Sequence, residues 1–494
     1  MKREFNDKWL YIPILILGVY LITRLINQSQ LIWMFPLDKY NDWASYLAQM
    51  HFLKECGFHS FCPYWYNGFT AFQITQPGWY FFFYPLYLIT KNVQLTGYLA
   101  LIITLILSLI ALYIGYKKLD LSKTKSLASF LFFFGNAIAI GNFVRLGKVH
   151  ELFAWFNGIV IFLFLLYYKD KRLDKNFFFI IPFYFLAIIT HQNLAIISSF
   201  AFLGLILIKN NKERIKIIIS MLISIFAASF WLIDYIKNFF STTSKTIIVG
   251  STLSKINMAT YNDNIVATVI PLIFLITLYF YIKSIKNKKT EFIFLLPVSF
   301  VSFILLTRLI IFIPVLNHVF PDSYALFLLF FVIFMLFKID YNLINKKYLI
   351  VGLIILSLTS VALNEAFTPK FIKHTNLEEE TISLFENVEN KYIILGSPLR
   401  KTSYQNAYYS YAAIYYNLST AGGWYPSATT PEYINKIENL DNLLKNKECS
   451  ELKSSLNKLN VKEVITYEDN CKFLSECEFN KKVNKSRACL YSLG

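Results

Sequence analysis

The sequence predicts an α-helical polytopic membrane protein with a small C-terminal α/β domain. Of its 494 residues, 56% are hydrophobic and only 16% are charged, whereas a soluble domain carries about 25% charged residues. Apolar stretches recur through residues 1–364, and a bilayer core needs about 20 apolar residues per helix. Residues 365–494 instead show short strand-like and helical patterns, which predict a separate folded tail.

Eleven apolar stretches are predicted to form the transmembrane helices. They are 9–26, 95–115, 127–143, 152–168, 176–190, 193–208, 217–235, 264–282, 291–307, 323–337 and 348–364. The fifth and sixth are short, but fusing them into one crossing would put either Lys169–Lys175 or Lys209–Lys216 on the outer side. We therefore keep two helices, joined by a turn at His191.

Basic residues are concentrated in every second connection. The clusters are Lys2, Arg3 and Lys8; Lys117, Lys118, Lys123 and Lys125; Lys169, Lys171, Arg172 and Lys175; Lys209, Lys212, Arg214 and Lys216; Lys283, Lys286, Lys288 and Lys289; and Lys338, Lys346 and Lys347. Such a bias marks cytoplasmic loops, so we predict a multi-pass protein of the cell membrane with a cytoplasmic N-terminus and an extracytoplasmic C-terminal domain. The tail holds 16 Lys/Arg and 16 Asp/Glu, so the net charge of +17 belongs to residues 1–364. The charge therefore indicates topology, and we expect no nucleic-acid partner.

All six cysteines fall on the predicted outer side. Even numbers in an oxidising compartment predict disulfide bonds, with unpaired thiols or a zinc site as the alternatives. Cys56 and Cys62 are the predicted short bridge. The tail cysteines, for which three pairings are open, are Cys449, Cys471, Cys477 and Cys489.

The first outer connection, residues 27–94, is the longest between spans, and we predict that it contains short helices lying on the membrane. It carries Asp38 and Asp42, the sequence Trp65-Tyr-Asn-Gly68, and an aromatic run that ends in Tyr84-Pro85-Leu86. A belt of interfacial aromatic residues explains the rings. It does not explain the two acids.

Four predicted outer segments carry ionisable side chains, which are costly at a membrane and therefore point to function. The candidates are Asp38 and Asp42; Arg145, Lys148, His150 and Glu151; His191; and Arg308 with His318, followed by Asp322. The structural alternatives are helix caps for the first pair, solvated or snorkelling cations, a dipole contact for Glu151 and a buried histidine for His191. No cofactor is required by the sequence, although the carboxylates could bind a divalent metal ion, Mg²⁺ or Mn²⁺.

Several of these pieces occur together in one known class of protein. They are Asp42 early in a long first loop, Trp65-Tyr-Asn-Gly68, Tyr84-Pro85-Leu86, Arg145 to Glu151 running into the fourth span, the His191 turn, Pro321, and Leu456 to Ile465. In these features the chain resembles the GT-C membrane glycosyltransferases, and it is similar to a prokaryotic family labelled 6-pyruvoyl-tetrahydropterin synthase-related membrane proteins. Leu86 stands where a second proline is often expected, and no His follows the early Asp. The Trp-Trp-Asp motif of oligosaccharyltransferases is missing, with only a faint echo in Gly422-Gly-Trp424-Tyr-Pro426, so peptide glycosylation is not supported.

The resemblance implies transfer of a sugar from a polyprenyl-phosphate carrier to a glycan, lipid or protein acceptor on the extracytoplasmic face. Such a reaction needs a carboxylate that accepts the acceptor's proton and cations that stabilise the phosphate leaving group. We assign Asp42 as the base, with Asp38 or Glu151 in support. Phosphate or substrate binding is assigned to Arg145, Lys148, His150, His191, Arg308 and His318.

Two other functions stay open. A transporter or flippase of lipid-linked glycans would have ionisable residues distributed through its spans and accessible from both faces. A non-catalytic scaffold of the cell envelope would use the tail to bind a partner. The spans carry almost no charge and the polar residues lie on one predicted side, which favours the enzyme.

Overall fold

The chain folds into a bundle of apolar helices followed by a segment that contains a β-sheet. The computed structural model describes residues 7–239, 261–285, 287–339, 346–396 and 405–493, so that Lys2, Arg3 and Lys286 of the basic clusters lie outside the described residues. In chain order the helices of the first part are α1 (Tyr11–Gln28), α2 (Trp43–Glu55), α3 (Gly78–Thr90), α4 (Val93–Lys118), α5 (Lys123–Phe134), α6 (Ala137–Ala139), α7 (Val149–Lys169), α8 (Ile180–Thr190), α9 (Gln192–Ile208), α10 (Asn211–Ala227), α11 (Ser229–Phe239), α12 (Tyr261–Ser284), α13 (Lys288–Leu306), α14 (Pro321–Lys338) and α15 (Lys346–Phe367). A π-helix, Ile140–Leu146, continues directly from α6.

Nine of the eleven predicted spans each coincide with one helix, while 127–143 and 217–235 each fall across a bent pair of helical segments. Within the described ranges, seven are long and apolar enough to cross a membrane: α1, α4, α7, α12, α13, α14 and α15. Two bent pairs, α5 with the α6–π-helix segment and α10 with α11, pass the same test, while α8 and α9 are shorter apolar helices. The prediction of an α-helical polytopic fold is confirmed.

The third predicted span, 127–143, is broken rather than continuous. The Asn136 side chain accepts a hydrogen bond from the Ala139 N–H (3.0 Å) and donates one to the Phe132 carbonyl (3.0 Å). The Asn136 side chain therefore bonds to the end of α5 and caps the start of α6. Such side-chain bonds compete with the backbone hydrogen bonds of one continuous helix. The two segments are bent by 53°, and α10 and α11 by 73°.

The first connection contains the short helices that the sequence predicts, α2 and α3, and a small hairpin that it does not. The hairpin pairs β1 (Phe61–Cys62) with β2 (Phe69–Thr70) in antiparallel register. The predicted Cys56–Cys62 disulfide joins the end of α2 to β1, with the two Cα atoms 5.2 Å apart.

The C-terminal α/β domain contains a four-stranded sheet of order β3-β4-β6-β5. Its elements are α16 (Asn376–Leu384), β3 (Tyr392–Ile394), α17 (Gln405–Tyr416), α18 (Pro431–Asn446), α19 (Cys449–Lys458), β4 (Glu463–Tyr467), α20 (Asp469–Glu476), β5 (Asn480–Asn484) and β6 (Ala488–Ser492). Strands β3 and β4 are parallel, and the other pairs are antiparallel. Of the three pairings open to the tail cysteines, the structure has Cys449–Cys477 and Cys471–Cys489.

The tail is hydrogen bonded to the first connection through the backbone. The Tyr66 N–H donates to the Gly422 carbonyl (2.9 Å), and the Thr420 N–H donates to the Tyr64 carbonyl (3.0 Å). A Cβ atom on Gly423 would lie 2.6 Å from the Tyr66 ring, so only glycine permits this close approach. The residues after Gly423 are thereby brought to the first connection, next to α2 and α3.

Candidate active site

A partly buried lysine lies beside two carboxylates where α7 meets α14. The Lys148 Nζ atom is 3.3 Å from Asp322 Oδ2 and 3.9 Å from Glu151 Oε2. Asp322 also accepts hydrogen bonds from the Asn142 side chain (2.6 Å) and the Ser323 N–H (2.9 Å). Burial alone would lower the pKa of Lys148, but the charges of the neighbouring carboxylates outweigh it and raise that pKa above its ordinary value. Lys148 is therefore a positively charged group held in a fixed place.

The backbone before Lys148 explains how this lysine reaches the site. The π-helix ends at Leu146, and Gly147 follows with φ of 85°, a conformation that favours glycine. A Cβ atom there would lie 2.3 Å from the Trp43 ring of α2. The segment thus turns sharply against α2, and π-helices are frequently found at such functional positions.

Asp42 adjoins this cluster from the start of α2. Its backbone N–H donates to the Leu146 carbonyl (2.6 Å), which fixes the first connection against the end of the π-helix. Its carboxylate forms no capping hydrogen bond to α2, and the Asn41 side chain accepts from the Ala44 N–H instead (3.2 Å). The helix-cap alternative for Asp42 is therefore wrong. Burial raises the pKa of Asp42, and the Lys148 charge partly offsets that rise.

Glu151 is buried in the first turn of α7, with only 2% of its surface exposed. Its Oε1 atom accepts hydrogen bonds from the Ser323 hydroxyl (3.1 Å) and from the Trp155 indole (3.4 Å). These contacts join α7 to α14. Glu151 thus contributes to the charged cluster while also occupying the dipole-stabilised helix start that the sequence allowed.

Asp38 and Arg145 are paired with each other. Arg145 Nη2 lies 2.7 Å from Asp38 Oδ1, and each side chain is only 2% exposed. The Arg145 Nε atom also donates to the Pro369 carbonyl (3.0 Å). Among the described residues, Arg145 Nη1 and Asp38 Oδ2 have no hydrogen-bond partner.

Two histidines are brought together beside the cluster. The His150 ring lies between Tyr46 and His191, with centroid separations of 4.6 and 5.1 Å. Within the described part of the chain, His150 Nδ1 and the Tyr80 hydroxyl are buried without a hydrogen-bond partner. Buried polar groups are normally satisfied, so these two are suited to bind a substrate hydroxyl.

The tail contributes Tyr425 to the same region. Tyr425 lies close to Thr75 of the first connection, and burial raises its pKa to about 12. A negative charge on the Tyr425 phenol would raise the pKa values of Tyr46 and Tyr80, so the three phenol groups lie close together. No role for Tyr425 was predicted from the sequence, because only a faint motif surrounds it.

Arg308 and His318 make other contacts. Arg308 donates to the Thr268 hydroxyl (2.8 Å) and the Asn264 carbonyl (3.4 Å), which joins the end of α13 to α12. The His318 ring packs edge-on against Phe239, with 5.8 Å between the ring centroids.

Asp322, in contrast, lies in the charged cluster beside Lys148 but was assigned no role from the sequence. An ionisable residue at the start of an apolar span is a signal that could have indicated one.

Asp322 and Glu151 do not fit a divalent metal ion held between them. The Lys148 ammonium occupies the space between Asp322 and Glu151, where an ion bridging both carboxylates would lie. Throughout the ranges that the structure describes, no three His, Cys, Asp or Glu side chains are arranged to hold a metal.

Comparisons with known proteins identify the fold. No protein-family model matches the sequence, and no curated protein sequence matches it. An Archaeoglobus fulgidus oligosaccharyltransferase in complex with Zn and sulfate is 10% identical, with 91% of this chain and 68% of that chain covered and a TM-score of 0.54. The oligosaccharyltransferase AglB of the same organism, in complex with an inhibitory peptide and a dolichol-phosphate, is 12% identical, with 91% and 69% covered and a TM-score of 0.56.

A third solved structure, the arabinofuranosyltransferase AftD from Mycobacteria, is 12% identical with a TM-score of 0.60. All of this chain is covered, but it spans only 40% of AftD. These neighbours are GT-C glycosyltransferases, and at such low identity the likeness concerns the fold alone. The chain has a GT-C-like membrane fold with a C-terminal α/β domain.

Proposed function

We propose that this protein transfers a sugar from a polyprenyl-phosphate carrier to an acceptor on the extracytoplasmic face of the cell membrane. The observation that carries the proposal is the juxtaposition of Asp42, a partly buried carboxylate without a capping role, with the fixed cation of Lys148. A GT-C-like fold around this pair adds support. The narrower resemblance to the pterin-synthase-related family stays a prediction.

The reaction follows from those two groups. The acceptor hydroxyl attacks the anomeric carbon of the carrier-linked sugar, while the bond from that carbon to the phosphate oxygen breaks. The bonding electrons leave with the phosphate, whose growing charge Lys148 stabilises. The hydroxyl proton moves to the Asp42 carboxylate, for which a raised pKa is an advantage because it makes the group a better proton acceptor.

The neighbouring residues support these two roles. Glu151 and Asp322 hold the Lys148 ammonium in place, and the Asp38–Arg145 pair positions the first connection. Unpartnered polar atoms on His150, Tyr80 and Arg145 are available to sugar or phosphate oxygens. Contact of Arg308 and His318 with the carrier stays a prediction.

A comparison of two Asp-to-Asn variants tests the proposal. Wild type, Asp42→Asn and Asp120→Asn would be purified into lipid nanodiscs and given labelled polyprenyl-phosphate sugars with native lipid extract as acceptor. Asp120 is exposed in the α4–α5 turn and has φ of 57°, which asparagine tolerates. We expect Asp42→Asn to lose about 10²–10⁴-fold in turnover and Asp120→Asn to keep wild-type turnover. Equal turnover in all three proteins would exclude Asp42 as the base, and no turnover with any donor would favour the scaffold alternative.

The side of the membrane is tested separately. A periplasmic-type reporter enzyme fused after Gly494 should be active only if the tail is extracytoplasmic, as the lysine-rich connections predict. A reporter fused in the α4–α5 turn serves as the opposite control. If the fusion in the α4–α5 turn were active and the fusion after Gly494 inactive, the predicted orientation would be wrong. Sugar transfer at the outer face by this site would then be refuted.

A further inference from the structure

We propose that Lys148 is the resident cation of this site, taking the place between Asp322 and Glu151 that a bridging divalent metal ion would need, so that sugar transfer here needs no divalent metal. The inference rests on the proposed function for its catalytic part, but its structural part is independent of it. From the sequence, the carboxylates could bind Mg²⁺ or Mn²⁺. The position of the Lys148 ammonium disagrees with that expectation.

The ammonium group of Lys148 lies close to both carboxylates. Lys148 Nζ lies 3.3 Å from one carboxylate oxygen of Asp322 and 3.9 Å from one of Glu151. A Mg²⁺ or Mn²⁺ ion held by the same two oxygens would have to lie between them, against the ammonium. Since two cations repel each other in a buried site, the lysine and the metal are alternatives.

Most oxygens of these two carboxylates already accept hydrogen bonds. Asp322 accepts from the side chains of Asn142 and Lys148 and from the Ser323 N–H. Glu151 Oε1 accepts from the Ser323 hydroxyl and the Trp155 indole. Mg²⁺ demands near-ideal octahedral geometry from its oxygens, whereas these acceptors are arranged around hydrogen-bond donors.

Lys148 itself is fixed by its surroundings, which is what a substitute for a metal ion requires. Its backbone N–H donates to the Asn142 carbonyl (3.0 Å), and its carbonyl accepts from the Leu152 N–H (3.0 Å). The ammonium lies 5.2 Å from the centre of the Phe320 ring, a cation–π contact. About 18% of the side chain remains exposed, so that a phosphate oxygen can still approach the ammonium.

Manganese binding tests the inference without any need for turnover. Wild type, Lys148→Met and the double variant Lys148→Met with Asp322→Asn would be placed in nanodiscs of uncharged lipid and titrated with Mn²⁺, with electron paramagnetic resonance counting bound ions. We expect no ion at this site in wild type, one in Lys148→Met, where the carboxylates have lost their cation, and none in the double variant. An ion bound by wild type and lost in Asp322→Asn alone would overturn the inference, and this comparison suffices if Lys148→Met does not fold.

Chelation tests the catalytic part. Wild-type turnover after treatment with EDTA should stay within about twofold of the untreated value. A loss that added Mg²⁺ or Mn²⁺ restores would overturn the inference while leaving the glycosyltransferase proposal intact. Absence of turnover under every condition would refute the proposed function instead, and the Mn²⁺ titration would still decide the identity of the cation.

Discussion

Lysines lie at the two ends of α7, Lys169 buried and Lys148 partly buried, and they differ in the carboxylates around them. At one end Lys169 is bonded to Glu291, whose other oxygen accepts from the Tyr281 hydroxyl (3.1 Å). At the other end Lys148 faces Asp322 and Glu151, with Asp42 close enough for the lysine charge to lower its pKa. Lys169 thus meets one buried carboxylate, whereas Lys148 lies near three carboxylates, of which Glu151 is buried. Ionisable groups whose pKa values are shifted by burial and by a specific charge partner mark a candidate functional site.

The helix dipole sharpens the difference. Lys169 lies in the last turn of α7, where a cation is favoured, whereas Lys148 precedes its first turn, where a cation is disfavoured. Lys169 is therefore explained by stability alone. Lys148 is not, and residues that break a local rule are most often found at functional sites.

The largest expected effect belongs to the structural pair. Lys169→Met should destabilise the protein by about 3–5 kcal/mol, because Glu291 would stay buried without its cation. Thermal unfolding in nanodiscs, followed by tryptophan fluorescence, measures the loss, with exposed Lys175→Met as the control. Turnover per folded molecule should not change. A catalytic defect in folded Lys169→Met would break the distinction between the two lysines.

The converse variant is Lys148→Met. Loss of the group that stabilises the departing phosphate should lower kcat by about 10²–10³-fold. The comparison is with Lys39→Met, an exposed lysine of the first connection that lies over the Tyr40 ring. Initial rates at saturating donor measure kcat. Wild-type kcat in Lys148→Met would assign both lysines to stability.

A smaller effect is expected on the pH dependence. If Asp42 must be ionised to accept a proton, turnover should fall as the pH drops through its pKa, which burial raises above the ordinary carboxylate range. The Lys148 charge lowers that pKa, so its removal in Lys148→Met should move the acid limb of the residual activity to higher pH. The full profiles of kcat against pH measure this shift. A limb that stays in place would mean that another group titrates.

Much of the fold is predictable from the sequence because it depends on local composition. Nine of the eleven apolar stretches became single helices, since a segment in lipid must satisfy its backbone groups internally. The break at Asn136 was not predicted, because it depends on which backbone groups one amide side chain bonds. Strand β5 was missed because its residues, Asn480–Asn484, are mostly exposed and lack apolar alternation.

The sequence indicated which segments contribute to the site, but not which side chains within it pair with each other. Asp42, Lys148 and Glu151 were identified from their polarity on the predicted outer side. The pairing of Arg145 with Asp38, and the place of Asp322 beside Lys148, depend on how distant elements pack together. The paired residues are 107 and 174 residues apart in the sequence, and helix or strand periodicity gives no information about contacts over such separations.

The two arginines that hold the Pro369 carbonyl limit how this protein can change in length. Arg24 of α1 and Arg145 of the π-helix both donate to that single oxygen, at 2.9 and 3.0 Å. An inserted residue between α15 and Pro369 would displace the acceptor and leave two buried guanidinium groups short of a partner. Relatives of this chain should therefore keep this connection at constant length, while the exposed turn at Lys447 is free to lengthen.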